Sequence, residues 1–345
     1  MKNDLDYIVE HTADLWEEVR NKRIFLTGGT GFFGCWLLES FLYANKIFNL
    51  NASIYVLTRD PDAFRHKEPL LSSYPGLILH KGDICSFKYP EGHFSHIIHA
   101  AKVTENQIGV PSPISIFDRI VQGTRHTLEF ARSCSTHKML FTSSGAVYGK
   151  QPADILYLPE EYTGAPDPTD ERSAYGEGKR ASEFLCATYS NYFEFETKIA
   201  RCFTFVGPYF PLNSNFAMNN FIGNAVRNQP IQINGNGTPY RSYLYAADLA
   251  IWLWTILFKG VSNRPYNVGS ENEITIADLA KVVAQTSGKN LKISLASEPS
   301  PHATPERYVP SVERAKNELG LHQYVSLEDA IKRTIAWNGK QIGNQ

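Results

Sequence analysis

The sequence predicts an α/β protein, a doubly wound parallel sheet with a smaller mixed α/β lobe toward the C-terminus. Three observations carry this. Short continuous apolar runs alternate with helical stretches up to about residue 202, a glycine-rich turn joins the first run to the first long helix, and Pro, Gly and Asn become frequent from about residue 203. Strands buried on both faces read as continuous apolar runs, and helical crossovers provide the cover.

The elements follow in order. Leu5, Ile8, Val9, Leu15, Trp16 and Val19 recur at roughly helical spacing, so residues 5–20 are expected to form a short amphipathic helix packed on the surface. RIFLTG (23–28) reads as a strand and CWLLESFLYAN (35–45) as a helix. SIYVLTR (53–59), LILHKGDI (77–84) and SHIIHAA (95–101) are strands. FDRIVQGTRHTLEFARS (117–133) reads as a helix, within a helical stretch covering 113–133, and KMLFTSS (138–144) as a strand. A second long helical stretch covers 173–191. Beyond it, VGPYFPLNSN and NGNGTPYR mark irregular structure, and RPYNVG (264–269) reads as a return to the main sheet.

The 345 residues are 43% hydrophobic and 20% charged, ordinary for a folded globular chain. A net charge of -1 offers no basic excess for nucleic acid or an anionic membrane. The first 22 residues mix acidic and basic side chains and lack the pattern of a secretory leader. The most apolar run, Leu249–Phe258, is too short to cross a bilayer. Cys35, Cys85, Cys134, Cys186 and Cys202 are widely spaced, odd in number and form no C-x-x-C pair, so free thiols in a cytoplasmic setting are expected. His96 and His99 in HFSHIIH have no matching ligands elsewhere, and no metal site is expected.

Gly28, Gly31 and Gly34 in GGTGFFG match G-x-x-G-x-x-G between a strand and a helix. In that context the first glycine turns the chain, the second lets a pyrophosphate approach, and the third lets helix pack on strand. The helix N-terminus then faces the phosphates. Residues 22–202 are therefore expected to form a Rossmann-type NAD(P)-binding domain, preceded by a helical extension (1–21). Residues 203–340 make the second lobe, with the sheet rejoined near 241–269. Arg59 stands where NAD sites carry a carboxylate, which leans the cofactor toward NADP(H). Tyr175 and Lys179 lie four apart, on one face of a helix. An ammonium beside a phenol is expected to lower the phenol's pKa and make it a proton donor and acceptor for a carbonyl/alcohol pair.

With GDI, HAA, TSSGAVYG and RCFTFVGP, these motifs resemble the extended short-chain dehydrogenase/reductases that act on nucleotide sugars, over about residues 22–338. The resemblance implies Tyr175 as acid/base, Lys179 as its tuner and a ribose contact, and Ser144 as the hydroxyl holding the reacting oxygen. It places Asp83 and Ile84 near the adenine, and Ala100 and Ala101 along the middle of the cofactor, beside Phe32 and Phe33 of the glycine turn. For the substrate it implies Thr204 (where the family usually has Asn), Asn220, Phe221, Ile231, Ile233, Arg241 and Arg307. The two arginines would clamp a diphosphate. The helices 113–133 and 173–191 resemble the pair that forms a dimer bundle in relatives, implying a homodimer.

Gly145 and Ala146 stand where the 4,6-dehydratases of this family resemble one another in carrying Asp-Glu. Neither can move a proton. The expected reaction is therefore hydride transfer at C4 of a hexose, favoured as reduction of a 4-keto-6-deoxy sugar. A 4-epimerase and a C4-oxidising decarboxylase are the alternatives, and dehydration is demoted. A non-catalytic, cofactor-sensing binding protein is the rival from another class, and the presence of Ser144, Tyr175 and Lys179 together argues against it.

Overall fold

The computed structural model describes all residues except 103–111, 214–215, 299, 301–303 and 344–345. Two compact units emerge. The first comprises Met1–Lys150, Thr163–Cys202 and Ala250–Tyr266, and the second Gln151–Tyr162, Phe203–Leu249 and Asn267–Gln345.

The first unit is built on a sheet whose strands run β1 (Arg23–Thr27), β2 (Ser53–Thr58), β3 (Leu77–Lys81), β4 (His96–His99), β5 (Lys138–Ser144), β6 (Glu196–Cys202) and β7 (Pro265–Val268). Their spatial order is β7-β6-β5-β4-β1-β2-β3. β1 to β6 pair in parallel, with β1 between β2 and β4. The order reverses at β1, and such a reversal opens a crevice beyond the C-terminal strand ends. Ile24, Phe25 and Leu26 are fully buried, as continuous apolar runs require in a sheet covered on both faces. The long helices are Phe32–Ile47, Pro113–Ser133 and Ala174–Tyr192. Ser112 caps the second of these, accepting from the Ser115 amide at 3.2 Å, with Pro113 in its first turn.

The N-terminal extension differs from the single surface helix expected. It is a helix over Lys2–Thr12 followed by a 3₁₀ turn over Trp16–Val19. The Thr12 hydroxyl ends the first segment. It donates to the Ile8 carbonyl at 2.6 Å and accepts from the Trp16 indole at 3.0 Å. Trp16 is 1% exposed, with ring centroids 4.9 Å from Trp254, 6.4 Å from Phe41 and 6.1 Å from Phe258. The extension is thus core, and truncating Trp16 would cost about 3–5 kcal/mol. The apolar run 249–258 lies in the helix Ala246–Lys259. Its part in the first unit is apolar all round because it is buried all round. Trp254 donates to the Ser40 hydroxyl at 2.9 Å. Among the described residues no helix is long and apolar enough to cross a membrane. All five cysteines are free, and four are buried.

The second unit has short pieces. Tyr240–Ser242 lies between Glu273–Thr275, antiparallel to it, and Arg307–Tyr308, parallel to it. Ile231–Ile233 pairs with Ile293–Leu295, and Phe205–Val206 with Leu244–Tyr245. Its helices include Ala217–Val226, Ile276–Thr286 and Leu327–Gly343.

Glu18 pins the extension to the sheet. Its carboxylate meets the buried His96 ring at 2.9 Å and Lys138 Nζ at 3.0 Å, at the paired starts of β4 and β5. Burial alone would raise the Glu18 pKa, but the contacts with His96 and Lys138 outweigh it and bring it down to about 2 from 4.5. A depressed carboxyl contributes stability above its unfolded pKa, and that contribution is lost as pH falls toward the folded one. Glu18 is partly exposed, so the contribution is on the order of 1 kcal/mol. We therefore expect Glu18→Gln to lower the melting temperature at pH 7. The gap to wild type should shrink between pH 4.5 and about 2 in thermal melts.

Candidate active site

The glycine turn leaves β1 at the switch point. Gly28 has φ +73, and a Cβ there would lie 2.3 Å from the Ala100 carbonyl oxygen. Ala100 follows β4, so the turn and the end of β4 touch backbone to backbone. At Gly34 a Cβ would lie 2.3 Å from both Gly28 O and Gly29 Cα. Gly31 contrasts with both. Its Cβ would meet a single atom, Gly28 O at 3.5 Å, and it caps the helix Phe32–Ile47 without a side-chain partner. Open space over an uncapped helix start is what a pyrophosphate needs. The donors present suit a dinucleotide. Phe32 and Phe33 open this helix, with ring centroids 5.7 Å apart.

Beside the turn lies a pocket lined by Ile84, His99, Ala101, Lys102, Arg119, Ile120, Thr124 and Lys179. Asp83 is held by Arg119 at 2.8 Å and by the Cys85 amide at 3.0 Å. Burial would raise its pKa, but these contacts and the charge of Arg59 lower it overall. Arg59 is exposed at the end of β2. Its neighbour Asp60 caps the helix Pro61–Lys67 through the Ala63 amide at 2.9 Å.

Ser144 ends β5 and caps the turn Gly145–Tyr148, accepting from the Ala146 amide at 3.1 Å. This local bond explains the hydroxyl followed by two small residues. The chain must swing from strand into a tight turn, and the serine side chain closes it. Ser144 also hydrogen-bonds Tyr175. Lys179 is 5% exposed and donates to the Thr142 carbonyl at 2.7 Å. Its Nζ is 4.7 Å from the centre of the Phe141 ring and 5.9 Å from that of Tyr175. Ser144, Tyr175 and Lys179 therefore converge where β5 meets the helix Ala174–Tyr192.

The expected lowering of the Tyr175 pKa is corrected. Burial raises it above the ordinary 10, and the Ser144 hydrogen bond only partly opposes this. The ammonium's close partner is a backbone carbonyl rather than the phenol. Burial likewise brings the Lys179 pKa down to about 8 from 10.5.

His99 is placed by the sequence at a buried strand, as a metal ligand without matching partners, and is assigned no site role. It bridges Thr27 Oγ1 at 2.8 Å and Thr124 Oγ1 at 3.1 Å, stacks on Phe141 at 5.6 Å, and lines the pocket. Burial, helped by Lys179, brings its pKa down to about 3, so the ring is neutral. Thr27 also receives the Ala101 amide at 3.2 Å. Position in sequence could not have revealed this, because the partners come from three elements. Among the described residues no cluster of metal-ligating side chains exists.

In the second unit, a cleft of about 230 Å³ is lined by residues that include Asn220, Phe221, Gln232, Ile233, Asn234 and Asn236. Ile233 reaches this cleft, whereas Ile231 is fully buried and is not among its lining residues. The amides at 232, 234 and 236 were missed in sequence, although the run NGNG (234–237) was the signal for the latter two. Thr204 donates its hydroxyl to the Ser242 carbonyl. Arg241 donates to the Tyr240 carbonyl at 2.8 Å. Arg307 pairs with Glu273 and lies 4.4 Å over the Tyr240 ring. Both arginines are therefore held on adjacent short strands.

A glycine-turn cradle and a Ser–Tyr–Lys group thus stand together on a parallel sheet of the dinucleotide-binding type. The model of the NAD dependent epimerase/dehydratase family matches residues 24–269, and the chain belongs to that family. UDP-glucuronic acid decarboxylase 1 of Xenopus tropicalis is 28% identical over 328 residues, 95% of this chain and 75% of that protein. UDP-glucuronic acid decarboxylase 6 of Arabidopsis thaliana is 29% identical over 313 residues, 90% of this chain and 87% of that protein. The structure of UDP-N-acetylglucosamine 4-epimerase from Methanobrevibacter ruminantium M1, in complex with UDP-N-acetylmuramic acid, superposes with a TM-score of 0.79 at 17% identity. It covers 93% of this chain and 99% of that one, a likeness of fold.

Gly34→Ala places a methyl against backbone that cannot yield. It is expected to lower stability by about 1–3 kcal/mol and to weaken dinucleotide binding. Thermal melts and equilibrium titration with NADH and NADPH check both.

Proposed function

We propose that this chain is a nucleotide-sugar oxidoreductase acting at C4 of a hexose, and that it reduces a 4-keto-6-deoxy sugar with NADPH. The observation that carries the reading is the Ser144–Tyr175–Lys179 group beside a turn whose next residues, Gly145 and Ala146, hold no proton-transfer group. Elimination of water needs an acid and a base beyond the phenol, whereas reduction of a ketone needs only one proton donor at the oxygen. Ser144 orients that oxygen, and Tyr175 gives it the proton. Lys179, held by the Thr142 carbonyl, keeps a positive charge within reach of the phenolate that forms. The nicotinamide, when bound, supplies the hydride.

NADPH is favoured because Arg59 stands at the end of β2 where NAD sites carry a carboxylate, and the next residue, Asp60, caps a helix. The amide-rich cleft of the second unit supports a nucleotide as the carrier, with Asn220, Phe221 and Ile233 contacting it and Thr204, Arg241 and Arg307 close by on the same unit. A homodimer is proposed on the packed helices Pro113–Ser133 and Ala174–Tyr192, where Ile114, Phe117, Phe184 and Tyr192 are exposed. The free thiols support a cytoplasmic setting.

A second reading is favoured by the relatives' names. Oxidation of a uronic acid at C4 makes a β-keto acid, which loses carbon dioxide without any acid at positions 145 and 146. A decarboxylase, or a 4-epimerase, would recycle NAD⁺ within each turnover. The two readings separate when the purified protein is denatured and the released nucleotide identified. An empty site that binds NADPH more tightly than NADH supports the reductase, and stoichiometric NAD⁺ overturns it. Arg59→Asp should reverse the cofactor preference in the same titration. Tyr175→Phe should lower kcat about 10²–10⁴-fold on whichever substrate turns over, and unchanged turnover would overturn the mechanism.

A further inference from the structure

Next to the catalytic group lies a part-buried cluster that the chemistry above does not use. Glu183 sits one helical turn beyond Lys179 and two beyond Tyr175. It accepts from the Ser143 hydroxyl at 2.5 Å. Arg201 grips the same carboxylate with two prongs, Nε to Oε1 at 3.0 Å and Nη2 to Oε2 at 2.7 Å. The Arg201 guanidinium also lies 4.7 Å over the ring of Tyr148, at the end of the turn that Ser144 caps. Glu183 and Arg201 are 12% and 15% exposed. In the β5–β6 register Ser143 stands opposite Arg201, and Ser144 opposite Cys202.

We propose that the Glu183–Arg201 pair is the positioning device of the active site. It fastens the helix carrying Tyr175 and Lys179 to the strand end carrying Ser144. This rests on the catalytic reading of those three residues. The geometry supports it in two ways. The pair joins three elements at the level of the reacting hydroxyls, and a fork on a carboxylate fixes direction as well as distance. A buried ion pair adds little net stability over an apolar pair of the same volume. Its placement one residue from Ser144 is therefore better explained by orientation than by stability.

Glu183 also faces Lys179 electrically. The titratable and charged groups around Lys179 are Tyr175, Glu183 and Cys186 on its own helix, His99 on β4, Cys202 on β6, and Arg119 and Lys102 along the pocket. Of these, Glu183 contributes an anion that holds the ammonium charged. Neutralising it also leaves the Arg201 charge unpaired, and both changes are expected to move the Lys179 titration to lower pH.

The test uses the full chain. Lysine Cε is labelled with ¹³C, and Lys179→Arg assigns its signal. Wild type should titrate near pH 8 and Glu183→Gln at lower pH. On a substrate that turns over, Glu183→Gln should lower kcat about tenfold or more with KM changed under about threefold, because orientation rather than binding is lost. Glu183→Gln strands a buried guanidinium and will be less stable. The double variant Glu183→Gln/Arg201→Met removes the stranded charge, so its stability should recover and, with the local net charge restored, the Lys179 titration should return toward wild type, while kcat does not recover. Recovery of kcat together with stability would overturn the proposal, as would an unmoved Lys179 titration with wild-type kcat in Glu183→Gln. Tyr175→Phe is assayed alongside. If it turns over like wild type, the catalytic reading fails; if it is inactive while Glu183→Gln is unimpaired, the positioning inference alone fails.

Discussion

At Gly34 there is no room for even a methyl group, because the backbone of Gly28 and Gly29 lies against its Cα. The helix Phe32–Ile47 can therefore start directly on the end of β1. Gly28 in turn touches the carbonyl of Ala100, which brings the end of β4 to the same place. A helix start, two strand ends and an open Gly31 are gathered within one turn of chain. The order of the sheet reverses at this point, and the crevice that follows has donors on its floor. The pocket walls, from Ile84 to Lys179, are arranged around that crevice.

Burial controls the chemistry of the walls. Lys179 is almost wholly enclosed, so its ammonium is weakened toward pH 8 and leans on the Thr142 carbonyl. His99 is enclosed too, and it stays neutral between two threonines. Tyr175 resists ionising. A phenol that holds its proton is a suitable donor to a ketone oxygen, provided a cation nearby receives the charge left behind. The low-dielectric surroundings that raise the phenol's pKa also strengthen that attraction. Cys202, opposite Ser144, is pushed up to about 12 and stays a thiol.

Membership of the NAD dependent epimerase/dehydratase family leaves several reactions open, and the residues after Ser144 narrow them. A glycine and an alanine cannot take part in elimination, and the proposed assignment of proton transfer to Tyr175 rests on this. Local physics gives the same two residues a structural use. They let the chain pass from a buried strand into a 3₁₀ turn that Ser144 itself caps. On the proposed function, the stretch serves both turn geometry and a minimal reaction.

The strands of the main sheet, the glycine turn and the spacing of Tyr175 and Lys179 were all legible in the sequence, because each depends on residues close in the chain. Apolar runs mark buried strands wherever they fall, and i, i+4 places two side chains on one helical face whatever surrounds them. The tertiary structure decided what depends on distant partners. It made the N-terminal extension part of the core, through Trp16 among Phe41, Trp254 and Phe258. It directed Lys179 to a carbonyl of β5, set His99 between two threonines, and joined Glu183 to Arg201. It also reversed the expected direction of the Tyr175 pKa. Spacing tells that a cation is near a phenol, but only packing tells how far each is withdrawn from water, and desolvation is the larger effect here.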